Sequence, residues 1–332
     1  MTASERMRAV AFDPASRRYQ AIKAPVPRAT GQDLLVAISA ASMNPVDAKM
    51  WDRLPRDGTP TVLGYDACGT VLETGADAVG FAPGDRVWYA GDATRAGSHA
   101  THQLVDSRIV AKAPPALDDA DAAALPLTAI TAWEALFDRL GYVPLSDRPQ
   151  AERLLVINGA GGVGSILLQL ARLSGIHATA TASRPESRDW CQKMGAAEVV
   201  PHEALGDMVP DSIDRILCAH DTDAYFDSMA RLVAPQGRIV SIVGSTRPHD
   251  LGQLFQKSAS FGWEFMFTRP ARRTPDMHRQ GEILAEIAGL FEAGKLLPTR
   301  TVTLEGLSVD TIEAAHARLR EGRQIGKIAL RW

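Results

Sequence analysis

The chain has 332 residues, more than one hydrophobic core ordinarily serves, so two domains are expected. Hydrophobic residues make up 45% and charged residues 23%, which argues against a disordered chain, and a formal net charge of -3 without a dense Lys/Arg block argues against nucleic acid or an anionic membrane surface as partner. Three scattered cysteines, Cys68, Cys191 and Cys218, form no disulfide framework and fit a reducing compartment.

The start, "MTASERMRAV", puts Glu5 and Arg6 where a signal peptide would be apolar, and no apolar run reaches bilayer length, so the expectation is a cytoplasmic protein. Short strand-like runs follow, "AVAFD", "LLVAISAASM", "ACGTVLETG", "APGDRVWYAGD" and "HQLVDSRIVAKAP". Gly, Pro and Asp punctuate them, as in a compact β-rich, barrel-like unit. From about Ala120 the texture turns helical in "DAAALPLTAITAWEALFDRL". After the link "GYVPLSDRPQ", strand and helix patterns alternate from "RLLVI" to "GRIVSIVG", the signature of an α/β, doubly wound parallel sheet covered on both faces. A long amphipathic helix is expected in "DMHRQGEILAEIAGLFEAGKL", and "TIEAAHARLREGRQIGKIALRW" reads as a helix, a glycine turn and a last strand free to return to the first domain.

The stretch "VINGAGGVGSILLQLA" carries the strongest chemical signal. Gly159, Gly161 and Gly164 fit G-x-G-x-x-G, with Gly162 and Val163 completing the loop, and a strand stands directly before it and a helix directly after. The first glycine permits a tight turn, the second lets backbone approach a pyrophosphate, and the third lets helix and strand pack closely. The N–H groups that open the helix, with its dipole, favour an anion. The alternative, a glycine-rich turn without ligand, fits those flanks less well. Roughly 20 residues further on, NAD-binding proteins carry an acid for the ribose 2′-hydroxyl. Here "ATATASRPESR" offers Ser183 and Arg184 with no acid at the turn, and Arg188 one helical turn later. A hydroxyl and guanidinium groups suit a 2′-phosphate, so NADPH is predicted over NADH.

"MNPVDAKMW", "LGYDACGTVLETG", "PGDRVWYAGD", "ALPLTAITAWEALFDRL", "NGAGGVGSILLQLAR", "APQGRIV", "WEFMFTR" and "GRQIGKIAL" together resemble the medium-chain dehydrogenase/reductase superfamily over nearly the whole chain. Within it the resemblance is to the quinone-oxidoreductase branch and to proteins called zinc-type alcohol dehydrogenase-like. It implies a GroES-like catalytic domain from residues 1–127 and 294–332, a Rossmann domain from 128–293, a cofactor in the cleft and a homodimer.

The zinc enzymes of that superfamily supply a Cys after an early strand, a His in "GHE" and a Cys at the domain-crossing helix. This chain has Asn44 and Tyr65 at the first two positions, and "AALPLTAITAW" offers neither Cys nor His. No tetrahedral ligand set remains, so no metal is predicted. His99 and His102 in "HATH" read as surface or strand histidines.

Without a Lewis acid, hydride must go to an acceptor that is already electrophilic, a quinone or an α,β-unsaturated carbonyl. Tyr65 is the first candidate to hydrogen-bond the resulting oxygen or relay a proton, against a packing tyrosine. Asn44 either orients substrate or nicotinamide ribose or is a turn residue before Pro45. Thr128 and Thr131 either contact the nicotinamide or back-bond within their helix, and Asp47 is read as structural. Trp88, Tyr89, Phe265, Met266 and Phe267 offer either a wall for a flat ring or core. The competing functions are a true zinc alcohol dehydrogenase, which lacks its ligands here, and a non-catalytic NADPH-binding member of the fold.

Overall fold

The computed structural model describes residues 6–49, 54, 56 and 58–332; Glu5, half of the case against a signal peptide, lies outside the described residues. Two compact units divide the chain, Met1–Leu127 with Phe267–Trp332, and Thr128–Met266. Among the described residues no helix is long and apolar enough to cross a membrane.

The first unit is β-rich. Strands β1 (Arg6–Asp13), β2 (Arg18–Pro25), β3 (Asp33–Met43), β4 (Thr61–Val62), β5 (Ala67–Thr74), β6 (Arg86–Tyr89), β7 (His102–Asp106) and β8 (Val110–Lys112) come from its first segment. The central strand β3 has few exposed positions because it is paired along its length: β5 runs beside it, and β7 takes its first half on the other side. Its second half is left for a strand from the far end of the chain.

The second unit is a six-stranded sheet of β9 (Gln150–Ile157), β10 (Ile176–Thr181), β11 (Glu198–Val200), β12 (Ile213–Cys218), β13 (Val233–Ser241) and β14 (Ser260–Trp263). Every pairing is parallel and the order is β11-β10-β9-β12-β13-β14. The chain goes one way from β9 and then the other, so the end of β9 is the switch point at which such sheets bind ligands. Leu154–Ile157 forms an unbroken buried run, as expected of a strand covered on both faces. The helix Gly162–Leu173 then lays Ile166, Leu167, Leu168 and Leu170 into the core.

The closing elements rejoin the first unit. Strand β15 (Arg300–Glu305) pairs with β16 (Lys327–Arg331), and β16 fills the vacant half of β3 with Ile328 opposite Met43 and Ala329 opposite Ser42. The helix Arg279–Glu292, which sequence reading placed in the dinucleotide domain, also belongs here. It lies against the segment around β8, and a Cβ at Gly281 would stand 2.7 Å from the Arg108 carbonyl oxygen. The second boundary therefore falls after residue 266 rather than 293, because helical periodicity reveals an apolar face without saying which sheet covers it.

The expected crossing helix is three pieces: Asp119–Ala123, Pro126–Trp133 and a π-helical turn, Glu134–Arg139. That turn brings Glu134 to Glu264 just beyond β14, both buried, while Arg139 Nε donates to Glu264 Oε2 at 2.8 Å. Burial, then the Glu134 carboxyl beside it, raises the Glu264 pKa to about 9, with Arg139 opposing. A carboxyl raised above its ordinary value of 4.5 holds its proton better folded than unfolded. Its contribution to stability is therefore complete at low pH and lost as pH rises toward 9. Glu264→Gln is expected to match the wild type at pH 5 and to be about 2 kcal/mol more stable at pH 9, checked by urea unfolding at both pH values.

Candidate functional site

Two clusters carry the chemistry, one in each unit. In the second unit, Asn158 follows β9 with φ of 69° and turns the chain into the glycine loop. The loop is tied to β10 by two bonds, Asn158 N–H to Thr181 Oγ1 at 2.9 Å and Gly159 N–H to the Thr181 carbonyl at 3.1 Å. Its glycines differ in what they serve. A Cβ at Gly159 would meet Ala180 Cβ at 2.7 Å, and one at Gly164 would meet the Gly159 carbonyl oxygen at 2.4 Å. Both are required by packing of strand against helix. At Gly161 the nearest atom would be the Asn158 side-chain amide at 3.2 Å, a group that can swing aside. Of these three, Gly161 is the one at which internal packing makes the weakest demand for glycine, and its bareness suits a ligand lying over it.

Gly161 is also the N-cap of Gly162–Leu173, and no side chain caps that helix, so the N–H groups opened by Gly162, Val163 and Gly164 keep the character of an anion site. The Ser165 hydroxyl donates back to the Gly161 carbonyl at 2.7 Å and accepts from Trp190 Nε1 at 2.8 Å, which fixes the first turn. These residues fit a dinucleotide pyrophosphate. Thr128 and Thr131 are buried on Pro126–Trp133 in the same unit.

At the end of β10, Ser183, Arg184 and Arg188 are exposed, and Arg184 is the N-cap of the helix Pro185–Lys193. One feature of this corner was not legible from chain spacing. Strand β11 runs parallel beside β10, and the short helix His202–Gly206 that follows it brings Glu203 Oε2 to 3.3 Å from the Ser183 hydroxyl. The same hydroxyl accepts from the His202 N–H at 3.1 Å. An acid does reach this corner, from the third strand instead of the second.

In the first unit, the end of β3 meets the start of β16. The Lys327 ammonium, almost wholly buried, donates to the Met43 carbonyl at 3.0 Å, to the Asn44 side-chain carbonyl and to Asp66 Oδ2 at 3.2 Å. Asp66 Oδ2 also accepts from the Ser42 hydroxyl at 2.7 Å and the Asn44 amide at 2.8 Å, while Oδ1 accepts from the Leu127 N–H at 2.6 Å. The Asn44 side-chain oxygen serves Lys327 and its nitrogen serves Asp66. Its role is to position those two. Neither Asp66 nor Lys327 stood out as functional from the sequence, although both lie within the motifs "GYD" and "IGKIAL".

Asp47 accepts from the Asn44 N–H at 2.6 Å, and its other oxygen is buried without a hydrogen-bond partner. Burial raises its pKa to about 7, against the pull of that N–H and of Lys327. Tyr65 precedes Asp66, is 2% exposed and stands with its ring 4.6 Å from that of Phe267. Trp88 and Tyr89 are core of β6, with the Tyr89 hydroxyl spent on Gln103 at 3.0 Å; they form no substrate wall. Met266 and Phe267 are likewise buried, and Phe265 is exposed. His99 is neither surface nor solvated: it is fully buried against Gly64, both ring nitrogens lack partners, and burial lowers its pKa to about 3.

These groups do not fit a catalytic zinc. Where zinc enzymes of the resembled superfamily place a Cys and a His, this chain has the Asn44 amide, bonded to Lys327 and Asp66, and the Tyr65 phenol. Among the described residues no cluster of three His, Cys, Asp or Glu side chains is placed to hold a metal.

Comparison with known proteins matches residues 30–115 to the alcohol dehydrogenase GroES-like domain and residues 194–330 to the zinc-binding dehydrogenase family. A zinc-type alcohol dehydrogenase-like protein of Staphylococcus aureus is 43% identical over 309 residues, 92% of each chain. A 2-methylene-furan-3-one reductase of Solanum lycopersicum is 30% identical over 322 residues, 92% of this chain and 73% of that one. Among solved structures, a Rhizobium etli protein described as a zinc-dependent alcohol dehydrogenase superposes with a TM-score of 0.92 at 38% identity, covering 99% of each chain.

The two clusters make separable predictions. Gly161→Ala is expected to stay within about 1 kcal/mol of wild-type stability and to weaken dinucleotide binding at least about tenfold, whereas Gly164→Ala is expected to cost about 3 kcal/mol of stability; unfolding curves beside cofactor titration tell them apart. Lys327→Met strands Asp66 and is expected to cost about 3–5 kcal/mol, with Asp66→Asn added to it recovering part of the loss, as read from a double-mutant cycle of denaturation midpoints.

Proposed function

We propose, because the chain belongs to the medium-chain dehydrogenase/reductase superfamily, that it is a zinc-independent, NADPH-dependent reductase of quinones or α,β-unsaturated carbonyls. The observation that carries this is the Asn44–Asp66–Lys327 cage: Asn44, which stands where zinc enzymes of the resembled superfamily supply a Cys, is bonded instead to a buried ammonium and its counter-ion. An acceptor must then bring its own electrophilicity. When bound, the nicotinamide supplies a hydride to that acceptor.

The chain's own residues divide the remaining work. The loop Gly159–Gly164, with Gly161 and Gly162 bare and Val163 opening the helix, holds the pyrophosphate. Ser183, Arg184 and Arg188 hold a 2′-phosphate through charge-assisted bonds. Thr128 and Thr131 offer hydroxyls to the nicotinamide. Tyr65, held by its ring against Phe267, donates its hydroxyl to the oxygen that gains charge as the acceptor is reduced. The Solanum relative supports the enone side of this proposal, since 2-methylene-furan-3-one carries a C=C bond conjugated with its carbonyl. Cysteines that are all free and buried support a reducing, cytoplasmic setting, and family membership supports a homodimer.

The test is a panel of quinones, enones and simple alcohols with NADPH and NADH, run on protein of measured metal content. Turnover of quinones or enones with NADPH and without stoichiometric zinc is expected. Tyr65→Phe is expected to lower kcat about a hundredfold with KM little changed. Zinc-dependent alcohol oxidation would overturn the proposal, and unchanged turnover in the Tyr65 variant would remove that residue from it.

A further inference from the structure

We propose that Glu203 sets the degree to which the cofactor site distinguishes a 2′-phosphate from a 2′-hydroxyl, an assignment that rests on the dinucleotide reading of the glycine loop. The register of the sheet puts it there. Thr181 on β10 stands beside Val200 on β11, and the Ala182 N–H continues the pairing to the Val200 carbonyl at 2.9 Å. Two residues beyond Thr181 and three beyond Val200, Ser183 and Glu203 emerge side by side.

The Ser183 hydroxyl has one hydrogen to give, and in this structure its acceptor is Glu203 Oε2 at 3.3 Å, while its oxygen already accepts from the His202 N–H at 3.1 Å. To donate to a phosphate, Ser183 must abandon the carboxylate, and two anions are then left within reach of one hydroxyl. Arg184 and Arg188 bring positive charge to the same corner. Glu186 and Asp189 on the same helix, like Glu203, are exposed acids that offset this positive charge. His202 adds no dependable cation, since burial and then His220 lower its pKa despite the Glu203 charge beside it. A ribose 2′-hydroxyl meets the opposite situation: it can donate to Glu203, the bond that an acid at the end of the second strand supplies in NAD-binding sheets. One carboxylate therefore favours NADH and opposes NADPH. The site's preference is the balance between Glu203 on one side and Arg184 with Arg188 on the other.

Glu203 is exposed, so Glu203→Gln and Glu203→Ala are expected to leave the melting temperature unchanged. Dissociation constants for NADPH, NADH and adenosine 2′,5′-bisphosphate are measured by calorimetry at one fixed salt concentration. Both variants are expected to tighten NADPH and the bisphosphate about tenfold and to leave NADH equal or weaker. A ratio of NADPH to NADH affinity that stays within about twofold of wild type in both variants, or that moves toward NADH, overturns the role of Glu203. Wild-type protein that binds NADPH with such an unmoved ratio sinks this inference alone; wild-type protein that binds neither dinucleotide sinks the cofactor reading with it.

Discussion

The buried ion pair of Lys327 and Asp66 is the constraint on which the first unit depends. Neither charge is tolerable alone at that depth, since removing one partner of a buried pair leaves an uncompensated charge. The groups around them come from distant parts of the chain: Ser42 and Met43 from β3, Asn44 from the turn after it, Leu127 from the helix Pro126–Trp133, and Lys327 itself from β16. The pair therefore specifies where four stretches of chain meet: residues 42–44, Asp66, Leu127 and Lys327. Burial raises the pKa of the neighbouring Asp47 carboxyl, which opposes a second negative charge beside the pair.

Seen this way, the fold and the proposed chemistry share one cause. A cation fixed by the fold offers no open coordination position and so cannot polarise a substrate oxygen as a metal does. In the proposed reaction, polarisation is left to hydrogen-bond donors and to the intrinsic electrophilicity of the acceptor. The second unit is built on a contrasting principle: the anion site proposed there is backbone, made of glycines and uncapped N–H groups, and the specificity proposed for it lies with side chains at the ends of β10 and β11.

Much of this was legible in the sequence because it is local. The glycine loop declared itself by a strand before and a helix after, and the alternation of apolar runs disclosed the parallel sheet. What escaped was set by long-range pairing. Arg279–Glu292 shows an apolar face, but only tertiary structure shows that residues 107–112 cover it. Glu203 lies 20 positions from Ser183 and meets it because two strands run in register, which no search along a single strand end would find. Asn44 was noticed for its position, but its bond to Lys327 was not, since that partner is 283 residues away. His99 was taken for a surface or strand residue, though it is enclosed beside Gly64, whose φ of 92° and lack of Cβ make room for the ring.

The route by which β16 reaches β3 also orders events during biosynthesis. Asp66 and Asn44 are made early, but their counter-ion belongs to a strand synthesised more than two hundred residues later. At about 5–20 residues per second that is a wait of roughly 15–60 s. Through that interval the vacant half of β3 is an unpaired edge with apolar side chains on it, the kind of surface that invites strand addition by another chain. The parallel sheet of the second unit, whose strands all lie between residues 150 and 263, has its full sequence before the first unit does. A nascent chain of this fold thus carries a complete dinucleotide-binding unit while its β-rich unit still lacks the ion that closes it.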